Sequence, residues 1–114
     1  MRTVLIRGDA PVPPALRELV ERGSTSFDER RAAALGDATS FDVDRIVFWT
    51  AAADPAVERL AGKYATRESA ERREIVVFVT TPRGPSAIPG VPANEMYVWP
   101  RDEDRLKMAF LTGA

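Results

Sequence analysis

The residues of this chain that could do chemistry stand directly behind apolar runs. Gly8 and Asp9 follow the run at 3–6, Thr50 follows 46–49, and Thr80 and Thr81 follow 75–79, with Arg83 and Ser86 close behind. Hydroxyls and a guanidinium can donate to the oxygens of an anion, and Asp9 can act as acid, base or ligand. Thr50, Thr80, Thr81, Arg83 and Ser86 together would make a small polar cradle. The plainer reading is that strand-end threonines complete backbone hydrogen bonding, and that Asp9 is a solvated loop acid or a helix cap. Cysteine and histidine are both absent. That removes the thiolate nucleophile, the usual general base and the commonest transition-metal ligands. One aspartate is a poor Mg²⁺ site, because the ion prefers near-octahedral oxygen coordination with one or two carboxylates. The first loop matches neither G-x-G-x-x-G nor the P-loop pattern. We therefore expect no metal, no cofactor and no catalytic residue.

These positions depend on the elements around them. The 46–49 run, Ile-Val-Phe-Trp, is short and apolar on both faces, as is 75–79. Such runs fit central strands of a covered parallel sheet. A first strand is expected at 3–6, and Pro13 and Pro14 suit the first turn of a helix that carries Leu16, Leu19 and Val20 on one face. Gly23 would end that helix as a C′ residue. Ser24-Thr25-Ser26-Phe27 reads as a short second strand. Asp28 would cap a helix over 29–35 that Gly36 stops, with loop at 37–40. Asp54 and Pro55 open a third helix with Val57, Leu60, Ala61 and Tyr64 inward. The charged residues at 67–73 read as a solvated helix end.

Residues 82–94 contain four prolines, Pro82, Pro85, Pro89 and Pro92, so a loop with at most one turn is expected there. A last strand spans 95–99, Pro100 closes it, and Asp102 would cap a final helix with Leu106, Ala109 and Phe110 inward, ended by Gly113. At 114 residues the chain is expected to be one domain, 1–114, able to bury roughly two-thirds of its unfolded surface. The alternation predicts an α/β fold: a five-stranded parallel sheet in order 2-1-3-4-5, with helices on both faces as a three-layer sandwich. A proline-rich loop stands in for the fourth helix. The crevice of such a sheet lies beyond the carboxyl ends of its strands.

This order resembles the receiver domain of bacterial two-component response regulators, a flavodoxin-like architecture, over nearly the whole chain. The resemblance implies an acidic pair after strand one, a phospho-accepting Asp at the end of strand three, a Ser or Thr after strand four, and a Lys before a Pro after strand five. Here Asp9 alone fits the acidic pair, Trp49 and Thr50 stand at the acceptor position, Thr80 or Thr81 fits the hydroxyl, and Trp99 precedes Pro100. Phosphoryl transfer is largely positioning and electrostatics, so losing these groups should abolish it. The resemblance thus implies a pseudo-receiver, not phosphorylated on Asp, acting in signalling or as a scaffold.

Such a domain would work through a protein partner or a second copy of itself. The expected surface is Tyr97, Trp99 and Pro100 with Pro85 and Pro89 of the loop, since aromatics are enriched at interface hot spots. Alternatively Trp99 folds over its own helix. The rival reading is a small α/β ligand-binding protein or enzyme that holds an anionic small molecule in the crevice with Asp9, Thr50, Thr80, Thr81 and Arg83. A net charge of −1 offers no footprint for nucleic acid or an acidic membrane. No apolar run is long enough to span a membrane, and the N-terminus is too short in its apolar part for a signal peptide. A cytoplasmic location is expected. Arginine outnumbers lysine, which stands only at 63 and 107, a bias of GC-rich bacterial genomes.

Overall fold

A strand that is apolar without interruption needs cover on both of its faces. The computed structural model, which describes residues 1–35, 43–65 and 75–112, buries both such runs at the centre of one sheet. Five strands, β1 (Arg2–Arg7), β2 (Ser26–Arg31), β3 (Arg45–Trp49), β4 (Ile75–Thr80) and β5 (Met96–Val98), lie in the order β2-β1-β3-β4-β5. All four pairings are parallel. Rows such as Val4, Ile46 and Val76, or Leu5, Val47 and Val77, run straight across the three middle strands.

Alternate residues along those strands divide between two apolar clusters. Val4, Ile6, Ile46, Phe48, Val76 and Phe78 pack with Val57, Leu60, Ala61 and Tyr64 of α3 (Pro55–Ala65), and with Ile88 and Val91. Leu5, Val47, Trp49, Val77, Val79 and Tyr97 pack with Leu16, Leu19 and Val20 of α1 (Pro14–Arg22), and with Leu106 and Phe110 of the last helix. The last helix is α4 (Glu103–Lys107), which continues as a wider π turn over Met108–Thr112. The division agrees with the usual right-handed connection of parallel strands: the β1–β2 step runs one way across the sheet and the β3–β4 step the other, and α1 and α3 pack in different clusters.

The cover is uneven. The helix after β2, α2 (Ala32–Leu35), is a single turn. Between β4 and β5 the chain has one 3₁₀ turn, Ala93–Glu95, with Gly90 at a positive φ of 87° in the loop before it.

Four sequence expectations are corrected. Asp28 does not cap a helix over 29–35: residues Ser26–Arg31 form β2, paired residue for residue with β1 from Arg2↔Ser26 to Arg7↔Arg31. Glu and Arg favour helices intrinsically, but sheet pairing and cross-strand ion pairs outweigh a preference of a few tenths of a kcal/mol, on the order of 0.3 per residue. Gly23 has φ −84°, so it is not a left-handed C′ glycine. Its need is space: a Cβ there would stand 2.5 Å from the Phe110 carbonyl oxygen. Asp102 makes no side-chain cap to α4, because its carboxylate is engaged by Val98. The last strand is Met96–Val98, shorter than 95–99, since Glu95 belongs to the 3₁₀ turn. The stop at Gly36, the loop at 37–40, the charged run at 67–73 and Gly113 lie outside the described residues.

Candidate functional site

The carboxyl ends of the strands form the rim where ligands bind in open α/β sheets. At β1, Arg7 turns into Gly8 and Asp9. Arg7 Nε donates to Glu29 at 2.7 Å, and its Nη1 donates to the Gly8 carbonyl at 2.8 Å. Asp9 points into solvent and pairs with Arg31 of β2. A Cβ on Gly8 would come within 1.8 Å of Asp54 Oδ2, so this glycine makes room for a second carboxylate at the rim. Asp54 caps α3: its Oδ1 accepts from Val57 N at 3.4 Å, and its own N–H donates to Glu58 Oε2 at 2.7 Å.

At β3 and β4 the hydroxyls are committed internally. Thr50 is buried; its N–H donates to the Val79 carbonyl at 3.1 Å, and its hydroxyl donates to the Ala52 carbonyl. The Thr81 hydroxyl donates to the Ala51 carbonyl and accepts from Arg83 N at 3.2 Å. These bonds tie the loop after β3 to the loop after β4. Thr80 is buried and more weakly satisfied: its hydroxyl reaches the Thr81 carbonyl at 3.5 Å, near the limit for a hydrogen bond. Arg83 is exposed. The five rim residues therefore do not converge: Asp9 faces β2, while Thr50 and Thr81 spend their hydroxyls on neighbouring carbonyls. Among the described residues no three Asp, Glu, His or Cys side chains gather at one point.

Trp49, at the end of β3, is buried in the α1 cluster, and its indole N–H has no hydrogen-bond partner. Tyr97 is a core residue of the same cluster, with the Arg105 guanidinium 4.6 Å from its ring centre. Of the residues expected on an interaction surface, Pro89 and Pro100 are exposed, and Trp99 and Pro85 are half-buried. Trp99 packs against the α1 cluster and is joined to Pro100 by a cis bond.

Beside the rim, under the proline loop, is a cavity of about 390 Å³. Thr80, Met96 and Val98 of the sheet, Pro85, Ser86 and Val91 of the loop, and Arg101 and Arg105 from the start of the last helix all line it. Of the sequence candidates it brings together Thr80, Pro85 and Ser86. The two arginines escaped the sequence reading: Arg101 stands before α4 and Arg105 within it, and both turn to the same carboxylate. Both meet Asp102: Arg101 Nη2 at 3.1 Å and Arg105 Nη1 at 3.5 Å. The hydrogen bond from Arg101 holds the Asp102 carboxyl below its ordinary value, against a smaller effect of burial and with help from Val98 N.

A separate cavity of about 250 Å³ lies over Tyr97 and Phe110, between Arg45 and Glu95. Arg45 is buried: it donates to the Gly23 carbonyl at 2.9 Å and stacks 3.9 Å over the Phe110 ring. Burial lowers its pKa to about 10. No helix among the described residues is long and apolar enough to cross a membrane. No family model, no curated protein and no solved structure matches this chain.

Proposed function

We propose that this chain is a non-catalytic, receiver-like domain that acts through contacts with a protein partner or a second copy of itself. The observation that carries the reading is the closed rim: the Thr50 and Thr81 hydroxyls donate to the carbonyls of Ala52 and Ala51. In this arrangement neither hydroxyl has a proton left to donate to a phosphoryl oxygen. The receiver-like strand order supports the same reading, as does Trp49 at the strand end where a receiver keeps its acceptor carboxylate. The contact surface would be the proline loop and the last helix. That helix exposes Met108 and Leu111, at 65% and 41% of their possible surface. Large apolar side chains displayed together are a mark of interaction surfaces.

Incubation with acetyl phosphate and Mg²⁺, read by intact mass, tests the non-catalytic part. The expected result is an unchanged mass; an added phosphoryl group lost in Asp9→Asn or Asp54→Asn overturns it. Sedimentation of the wild type and Met108→Glu tests self-association through the last helix. A dimer that the substitution dissolves supports a second copy as the partner.

A further inference from the structure

A right-handed connection from β4 to β5 would lay a helix over the face that α3 covers, because the chain steps in the same direction as from β3 to β4. The proline loop takes that place without filling it, and the cavity of about 390 Å³ is what remains. Its size falls within the roughly 300–1,000 Å³ of small-molecule sites. The floor is apolar, with Met96 and Val98 facing it. One side is cationic, with Arg101 and Arg105 sharing the single carboxylate of Asp102. Two guanidiniums against one carboxylate leave one positive charge over. Glu95, the other acid that acts on Arg105, lines the cavity over Tyr97 and not this one. The hydroxyl of Thr80, an almost fully buried residue, has among the described residues only its 3.5 Å contact with the Thr81 carbonyl, and Ser86 brings a second hydroxyl to the wall.

We propose that this cavity binds a small carboxylic acid with an apolar body, its carboxylate on Arg101 and Arg105 and its body on Met96 and Val98. Thr80 and Ser86 donate to the oxygens that the arginines leave open. Guanidiniums match a planar carboxylate with two parallel hydrogen bonds. A phosphomonoester is the poorer match: its dianion would need two charges from guanidiniums already shared with Asp102. The site lies beside the rim and shares only Thr80 with it, and it does not depend on the interaction role proposed above.

The test is a titration of the full chain with 4-methylpentanoate, 4-methylpentanamide and phenyl phosphate, followed by backbone amide shifts. The expected result is saturable binding of the carboxylate with a Kd on the order of 1 mM, with shifts at Ser86, Val98 and Arg101. The amide and the phosphate should bind at least about tenfold more weakly, the difference one charge-assisted contact makes. Arg101→Gln and Arg105→Gln should each weaken the carboxylate about fivefold or more, while Arg30→Gln on β2 leaves it unchanged. Arg105 also donates to the Asn94 carbonyl, so its variant has a structural risk. Arg101, largely in solvent, keeps the test decisive. Equal binding of acid and amide, tighter binding of the phosphate, shifts centred on Thr50 and Thr81, or no saturation by about 20 mM would each overturn the proposal.

Discussion

Val98 and Asp102 hold each other in both directions: Val98 N donates to Asp102 Oδ2 at 2.7 Å, and Asp102 N donates to the Val98 carbonyl at 2.7 Å. The next amide, Trp99 N, turns the other way and donates to the Thr80 carbonyl at 2.7 Å. Val98 therefore offers its backbone to the outer edge of β5, and Asp102 occupies it. An open strand edge invites pairing with another chain, and here one carboxylate closes that edge and fastens α4 to the sheet. A partner that docks here meets side chains of the loop and last helix, not a free strand edge at Val98.

Removing that carboxylate is expected to be costly. Asp102→Ala leaves the Val98 amide without its acceptor and releases two arginines, for a loss of about 2 kcal/mol. Asp102→Asn keeps the shape and an acceptor, and should lose about half as much. Urea unfolding midpoints with unchanged slope would measure both; an Ala variant within about 0.5 kcal/mol of wild type would show that the edge is satisfied by other means.

Glu29 joins β2 to β1 and α1, accepting from Arg7 Nε at 2.7 Å and Arg17 Nε at 2.8 Å. Burial works against its ionisation, but the hydrogen bonds from Arg7 and Arg17 outweigh it, and its pKa lies below the ordinary 4.5. Its stabilising contribution is therefore complete above about that value and is lost as pH falls through the lower folded-state value. Glu29→Gln should cost about 1 kcal/mol at neutral pH, and the gap between the two proteins should close on acidification. A gap that stays constant from neutral pH into the acid range would contradict this.

Burial raises the pKa of Glu95, and Arg105 offsets it only in part. The sign is opposite to that of Glu29. An acid with a raised folded-state pKa favours the fold below its unfolded value, and that advantage is lost as pH rises through the folded one. Glu95→Gln is therefore expected to match or exceed wild-type stability at neutral pH, with the advantage shrinking as pH falls through the raised folded-state value and gone below about the ordinary 4.5. Thermal melts across pH would read it, and a variant clearly weaker at neutral pH would mean that the carboxylate has a partner worth more than its desolvation.

Two glycines should respond differently to alanine. At Gly23 the new Cβ meets the Phe110 carbonyl oxygen at 2.5 Å and the Phe110 Cβ at 2.8 Å, and neither can move without shifting the last helix. A loss of about 2 kcal/mol is expected from such overpacking. At Gly8 the obstacle is the Asp54 carboxylate, which can swing aside at the cost of its cap to α3, about 1 kcal/mol. In an Asp54→Ala background, Gly8→Ala should therefore lose most of its effect. Additive losses in that double variant would place the obstacle in the backbone.

What the chain announces locally was legible before folding. The unbroken runs in β3 and β4 require cover on both sides, the periodic leucines and valines of α1 and α3 provide it, and four prolines forbid a helix between β4 and β5. Those features act within a few residues of each other, so composition and spacing determine them. Their alternation was enough to specify the parallel order 2-1-3-4-5. The second strand is expected at 24–27 and lies at Ser26–Arg31, because Asp-Glu-Arg-Arg favours a helix in isolation and becomes strand only through pairing with β1 and the ion pairs of Glu29. The direction of each rim hydroxyl, the bond from Asp102 to Val98 and the meeting of Arg101 and Arg105 with Thr80 were decided by the tertiary structure alone. Each depends on where a second segment distant in sequence comes to rest, and spacing along one segment does not contain that distance.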